Sequence, residues 1–200
     1  MLDDRDYMRR NPRYQLQWSA TVVIIAINVI VFILVNLLDY RSVDSVYRNL
    51  ALSVEGMKHG YFWQLISFQF LHALIFRNGI FHLLGNCFAI YIFGRAVEEA
   101  IGAFSFLRLY LAGGVAGGLL QMAAGAFWPE HFGQSVVGAS AGACALLASF
   151  CALFPQRALG LFFLPIELKA STMLWFTMAG TLVGIFLRNS NVAHCAHMGG

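Results

Sequence analysis

Long runs without a charged residue divide this chain into segments of membrane-crossing length. Residues 20–38 contain no Asp, Glu, Lys or Arg, and Trp18 and Tyr40 flank them. An α-helix needs about 20 apolar residues to cross a bilayer, and aromatic residues are common at the two interfaces. The run therefore predicts a first transmembrane helix. A signal peptide has a shorter apolar core and a small-residue cleavage site, so we interpret this helix as a retained anchor.

Further uncharged runs follow at residues 78–94, 109–128, 132–156 and 170–187, and a last one begins near Asn191. In the run 132–156 we expect the helix to start near Val136. The last run holds roughly half of the ~20 residues that a crossing needs, so we expect the natural chain to continue beyond Gly200. The pattern predicts an all-α polytopic membrane protein, a bundle of six transmembrane helices with the sixth truncated. Residues 1–17 would form a cytoplasmic tail and residues 18–200 one membrane domain.

Residues 59–76 also lack charges, and their placement decides the topology. If this stretch lies in the interface, eight of the 13 basic residues fall on the cytoplasmic side, whereas six do so if it spans. Cytoplasmic loops carry the excess of Lys and Arg, which favours the first arrangement. The stretch also mixes glutamine, serine and histidine with aromatic residues, as interfacial helices do. We therefore predict a structured external loop over residues 40–78 and a cytoplasmic N-terminus.

The composition excludes several classes of protein. Hydrophobic residues make up 59% of the chain, charged residues 12%, and the mean hydropathy is +0.67. Soluble domains carry about 25% charged residues, so a soluble, disordered or nucleic-acid-binding protein is a poor interpretation. The net charge of +3 comes from scattered residues that give phosphates no basic stripe. The four cysteines lie in apolar runs without paired spacing, which predicts buried free thiols.

A few polar side chains interrupt the apolar runs, and the bilayer makes each of them costly. A charge at the centre of a span costs roughly 2.5–3.5 kcal/mol. The residues are His82, Asn86, Ser140, His194 and His197. His82, Ser140 and His197 each fall four or five residues from the external start of a helix. At ~1.5 Å per residue they share one layer ~6–8 Å deep.

Each of these residues also has a simpler interpretation. His82 and Asn86 share one helix face, where they could serve only as hydrogen bonds between helices. Ser140 lies among the small residues 138–142, which also suit close helix packing. A metal site formed by the histidines is not favoured, because no acidic ligand shares their layer. His59, His72 and His131 are interpreted as loop or interface residues with solvent or local hydrogen bonds.

A serine nucleophile requires a base within hydrogen-bond reach, and His197 is the candidate base for Ser140. The usual serine triad adds a carboxylate. Glu98 follows His82 by sixteen residues, which places it ~24 Å further along the helix. Any catalysis would therefore depend on two residues.

Taken together, these residues resemble the rhomboid family of intramembrane serine proteases. The resemblance covers most of the chain and rests on motifs in order, namely Trp63-Gln64-Leu65, His82-x-x-x-Asn86, Ala96-Val97-Glu98, Gly138-x-Ser140 and residues 193–200. It implies a catalytic dyad of Ser140 and His197. It also implies that His82, Asn86 and the Ser140 backbone amide stabilise the oxyanion. We expect that no metal or cofactor takes part.

Two positions depart from the family pattern. Ala141 follows the serine where glycine is common, and Cys144 occupies a position that is often aromatic and packs on the histidine. The resemblance implies cleavage of single-span transmembrane proteins near the external face. The alternative is a catalytically inactive rhomboid-like protein that binds transmembrane clients. We expect the cell membrane as location, because acidic residues near the start are atypical of a mitochondrial transit segment.

Overall fold

The computed structural model describes residues 19–132, 135–160, 167–186 and 193–200, and in these ranges the chain is mostly helical. The predicted tail over residues 1–17 and the start of the last run near Asn191 lie outside the described residues. In chain order the elements are α1 (Ala20–Asn36), α2 (Tyr40–Leu50), β1 (Leu52–Ser53), α3 (Val54–Lys58), α4 (Gln64–Ser67), 3₁₀ turns at Phe68–Phe70 and Ile75–Arg77, α5 (Gly79–Ile101), α6 (Ala103–Phe127), β2 (Ser135–Val136), α7 (Ser140–Leu153), β3 (Ala158–Gly160), β4 (Glu167–Lys169), α8 (Ala170–Phe186) and α9 (His194–Gly199).

Each predicted apolar run contains a helix. Among the described residues, α5 and α6 are long and apolar enough to cross a membrane by length and composition, with 23 and 25 residues. The apolar helices α1, α7 and α8 are shorter, and α9 has six residues. The order of the helices agrees with the prediction, several of their ends differ from it, and the count of six crossings stays a prediction.

The outer surface of the bundle is apolar. Large aliphatic and aromatic side chains point outward from α1, α5 and α8, with Leu34 58%, Phe81 73% and Phe186 75% exposed. A soluble protein rarely leaves such large apolar patches facing water. The surface suits lipid as the surrounding solvent.

The start of α7 corrects the sequence-based expectation. The pattern predicts a helix from near Val136, whereas Val136 pairs with Leu52 in the antiparallel strands β1 and β2, and α7 begins at Ser140. Gly138 has φ +130°, a conformation that glycine alone adopts readily, and its N–H donates to the Phe68 carbonyl at 3.0 Å. A helix cannot continue through this backbone. Ser140 is therefore the first helical residue and not the fourth or fifth.

The segment between α1 and α5 does not form one spanning helix. It folds into three short helices, a strand and two 3₁₀ turns, which agrees with the predicted structured loop. Gln64, which is fully buried, ties the loop together. Its Oε1 accepts from Ser53 N at 3.1 Å, and its Nε2 donates to the Arg48 carbonyl at 3.0 Å. The buried polar group is satisfied within the loop.

Close helix packing joins α6 to α7 and α9. At Gly117 an added Cβ would lie 2.7 Å from the Ala141 Cβ and would overlap the backbone carbonyl of Ala196. Small residues allow helix backbones to approach to this degree. Glycine at this one position thus lets α7 and α9 meet against the same face of α6.

At the far end of α5, Glu98 fixes the start of α1. Its carboxylate accepts from Ser19 Oγ at 2.5 Å, from the backbone N–H groups of Ala20 and Thr21 at 2.7 and 3.0 Å, and from Thr21 Oγ1 at 2.7 Å. A carboxylate at a helix N-terminus satisfies free N–H groups and opposes the helix dipole. The Glu98 carboxylate therefore serves to anchor the N-terminus of α1, and it does not contact Ser140.

Candidate active site

Ser140 and His197 meet where α7 and α9 approach each other. The His197 Nε2 lies 2.8 Å from the Ser140 Oγ, across 57 residues of sequence. Ser140 is the first residue of α7, and His197 is the fourth of α9. A hydroxyl within hydrogen-bond distance of an imidazole nitrogen is the geometry of a nucleophile beside its base.

No carboxylate accepts a hydrogen bond from His197 among the residues that the structure describes. Its near neighbour is His194, whose ring stands edge-on at 6.2 Å between centroids and 82° between planes. From the sequence, the role considered for His194 is that of a metal ligand. The structure places it beside His197. In the described part of the chain no group of three or more His, Cys, Asp or Glu side chains is arranged to hold a metal ion.

His82 and Asn86 face the segment that leads into Ser140. A Cβ added to Gly138 would lie 2.8 Å from both Cε1 and Nε2 of His82, and 3.8 Å from the Asn86 Nδ2. His82 is the fourth residue of α5, and Asn86 follows one turn later on the same face. The structure thus brings both side chains to the site of Ser140 and His197.

The N-terminus of α7 adds backbone donors. The cap residue Ala139 gives no side-chain hydrogen bond, and the first intrahelical bond runs from Ala143 N to the Ala139 carbonyl. The N–H groups of the preceding helical residues, beginning with Ser140, have no partner within the helix. They carry the positive end of the helix dipole, which favours an anion.

His72 belongs to this site, and the sequence pattern does not reveal it. Its side chain is buried, with 2% exposed, and its Nε2 lies 3.0 Å from the Asn86 Nδ2. Its ring also stands edge-on to His82 at 5.1 Å. The interpretation of His72 as a locally bonded loop residue is therefore wrong. Burial, with a smaller contribution from the nearby His82, lowers the pKa of His72 to about 4.

The two other loop histidines differ from each other. His59 Nδ1 bonds locally, to the Glu55 carbonyl at 2.9 Å, as expected. His131 Nε2 instead lies 3.0 Å from the Ile185 carbonyl, 54 residues later. The four cysteines are free, as predicted, but only Cys151 and Cys195 are buried as expected, and Cys87 and Cys144 are half-buried.

The fold and this site define a helical membrane protein that carries a serine paired with a histidine. The family model described as the rhomboid domain matches residues 59–200. The match covers more than half of the chain, which therefore belongs to the rhomboid family. The family includes intramembrane serine proteases.

Curated relatives agree with this assignment. RHOMBOID-like protein 12, mitochondrial, of Arabidopsis thaliana is 30% identical over 76% of this chain and 47% of its own length. Rhomboid protein 1, mitochondrial, of Saccharomyces cerevisiae is 30% identical over 60% of this chain and 34% of its own. Presenilin-associated rhomboid-like protein, mitochondrial, of Homo sapiens is 28% identical over 60% of this chain and 32% of its own. The chain thus spans from 32% to 47% of the length of these relatives.

Proposed function

We propose that this protein is an intramembrane serine endopeptidase that cleaves transmembrane segments of membrane proteins near the external face. Ser140 is the nucleophile and His197 is the general base. The 2.8 Å contact between the Ser140 Oγ and the His197 Nε2 carries the proposal. Free serine is a weak nucleophile, and a neighbouring imidazole is the group that activates it.

The reaction proceeds by acyl transfer. His197 removes the proton of Ser140 as the Oγ attacks the substrate carbonyl, and then returns it to the leaving amine. An acyl-enzyme forms on Ser140, and water hydrolyses it with His197 again acting as base. The tetrahedral oxyanion accepts hydrogen bonds from Asn86, His82 and the Ser140 backbone N–H. In a low-dielectric site, one such hydrogen-bond donor raises kcat by a factor of about 10²–10³.

The substrates are single-span membrane proteins. The backbone groups of a transmembrane helix are satisfied internally, so the scissile segment has to unwind before Ser140 can reach a carbonyl. Unwinding is easiest near Gly or Pro, which disfavour helix by about 1 and about 3 kcal/mol relative to Ala. The small residues around Ser140 favour a small side chain beside the attacked bond.

The topology in this proposal is a six-span bundle with a cytoplasmic N-terminus and an external active site. The excess of basic residues before α1 and in the loops on that side supports it. Reporter fusions after α1, α5 and α6 test the orientation, since a reporter active on only one side of the membrane alternates between successive loops. The same pattern starting from the opposite side would reverse the assignment.

We propose the cell membrane as location. The relatives named above are mitochondrial by name, so the mitochondrion is the competing outcome. Imaging of the tagged natural protein against markers of both membranes decides between them. Co-localisation with the mitochondrial marker alone would refute the cell-membrane assignment.

The central experiment is labelling of the detergent-solubilised protein with a fluorophosphonate, followed by cleavage of a single-span substrate. The wild type should be labelled and active, and Ser140→Ala and His197→Ala should lose both properties while remaining folded. Ser149→Ala is the matched control, because Ser149 lies on α7 about 13 Å further along the helix. A wild type that binds a transmembrane client but is neither labelled nor active would instead identify the inactive client-binding protein.

A further inference from the structure

His72 reaches from the loop between α1 and α5 into the site on α5. It is 2% exposed, and its Nε2 lies 3.0 Å from the Nδ2 of Asn86. In the described part of the chain, this imidazole is the hydrogen-bond partner that the structure gives to the Asn86 side chain. The contact joins a loop residue to a group that the proposed function requires.

The chemistry of the contact fixes the direction of the hydrogen bond. An amide nitrogen donates and has no free lone pair to accept with, so Nε2 of His72 has to accept. His72 is therefore neutral and carries no proton on Nε2. One N–H of Asn86 is used in this bond and the other stays free.

The hydrogen bond restricts a torsion that is otherwise soft. The χ2 angle of asparagine is broad and nearly two-fold, so an unheld carboxamide samples both orientations. Held by His72, the Nδ2 stays on the side that faces Gly138, 3.8 Å from where a Cβ of that residue would lie. Rotation by half a turn would present the amide oxygen, which repels an oxyanion.

His72 is itself held firmly. The Tyr47 hydroxyl donates to the His72 carbonyl, and the Asn36 Oδ1 accepts from Ile75 N at 3.0 Å. Leu71, immediately before His72, is 1% exposed and belongs to a buried cluster with Val35. These contacts fix the backbone at His72 relative to α1 and α2, which limits the positions that its imidazole can take.

We propose that His72 is a positioning residue that holds the Asn86 carboxamide with its free N–H toward the oxyanion formed at Ser140. This inference rests on the proposed peptidase function. It assigns to the external loop an effect on the transition state that acts through Asn86, in addition to its part in the fold.

A double-mutant cycle tests the proposal. His72→Leu removes the acceptor and keeps apolar volume, and it should lower kcat about 10-fold with KM unchanged, because the Asn86 donor is lost from the transition state only part of the time. Asn86→Ala should lower kcat by about 10². In the double variant His72→Leu should add less than about 2-fold, since coupled residues are not additive. His72→Gln, which offers a side-chain acceptor, should recover most of the lost kcat.

Gln69→Leu is the matched control. Gln69 is also a fully buried residue of the same loop, but its Nε2 donates to the Leu65 carbonyl at 3.0 Å and to the Leu111 carbonyl at 3.4 Å, and the structure gives the hydrogen bond to Asn86 to His72. If Gln69→Leu lowers kcat at all, the double variant with Asn86→Ala should show the product of the two single-variant factors. Thermal unfolding of each variant separates loss of stability from loss of turnover.

The possible outcomes separate the two proposals. If the wild type cleaves substrate and the losses from His72→Leu and Asn86→Ala multiply, the positioning role is wrong and the peptidase stands. If His72→Leu raises KM alone, the positioning role is also wrong. If the wild type neither cleaves substrate nor labels at Ser140, the peptidase proposal fails and the positioning role falls with it.

Discussion

Substitution of Gly117 by alanine tests how the active site is assembled. Gly117 lies on α6, and neither Ser140 nor His197 is on that helix. The added Cβ would lie 2.7 Å from the Ala141 Cβ and would overlap the Ala196 carbonyl. Carbon atoms pack best about 3.5–4.0 Å apart, so α7 and α9 have to retreat from α6 by roughly 1 Å.

The movement of α7 and α9 away from α6 should lower kcat. Because the obstruction is closest to Ala196, next to His197, α9 should move more than α7, and the contact between the Ser140 Oγ and the His197 Nε2 should lengthen. A misplacement of about 1 Å between reacting groups can cost about 10²-fold in rate. We therefore expect Gly117→Ala to lower kcat on a single-span substrate by about 10²-fold, together with slower fluorophosphonate labelling.

The matched control is Gly180→Ala on α8. An added Cβ at Gly180 has nothing within 4 Å, and alanine favours helix over glycine by about 0.5–1 kcal/mol. Gly180→Ala should keep full activity and unfold at the same or a slightly higher temperature. Both variants are assayed for kcat, labelling and thermal unfolding in the same detergent. If Gly117→Ala were folded and cleaved within about 2-fold of the wild type, close packing on α6 would not position the dyad.

Three further results are expected. Asn86→Ala should reduce kcat by about 10² with little change in KM, and a raised KM at constant kcat would instead make Asn86 a substrate-binding residue. Replacing the helix-breaking residues of a substrate by Leu, or the small residue at its cleavage site by Phe, should each slow cleavage, and equal rates at the same bond would contradict the need for unwinding. The pKa of His72 lies near 4 in the fold and near 6.5 in an unfolded chain, so the unfolded state takes up the proton first on acidification. The contribution of His72 to stability should therefore be constant above pH 6.5 and fall between pH 6.5 and pH 4. If the thermal stability of His72→Leu falls as steeply as that of the wild type over this range, His72 is not the cause.

The approximate positions of the helices and the choice of candidate site residues could be made from the chain alone. The apolar runs locate α1 and α8 to within a few residues, because insertion into lipid depends on the summed hydrophobicity of consecutive residues. They also locate α5 and α6, but α5 ends seven residues after its run and α6 begins six residues before its run. The same reasoning isolates the few polar side chains in these runs, since each one is costly there. It leads directly to Ser140 and His197 and to the pair His82 and Asn86.

Other features depended on contacts between distant parts of the chain. The backbone of Gly138, bonded to the Phe68 carbonyl, sets the start of α7 at Ser140, although the apolar pattern continues upstream. His72 finds its partner Asn86 on α5 only because the loop before it folds around Gln64 and packs against α1. No spacing in the sequence marks either contact.

The chain by itself thus determined which segments are apolar enough to be helices in a lipid environment and which polar residues are candidates for the site. Those properties depend on composition over some 20 consecutive residues, and the bilayer imposes them whatever the neighbouring helices do. Tertiary structure alone decided that the Ser140 Oγ lies 2.8 Å from the His197 Nε2, and that His72 of the loop is hydrogen-bonded to Asn86. Such distances depend on how closely helix backbones approach at Gly117 and on how the loop closes, and a shift of about 1 Å in either is enough to separate the reacting groups.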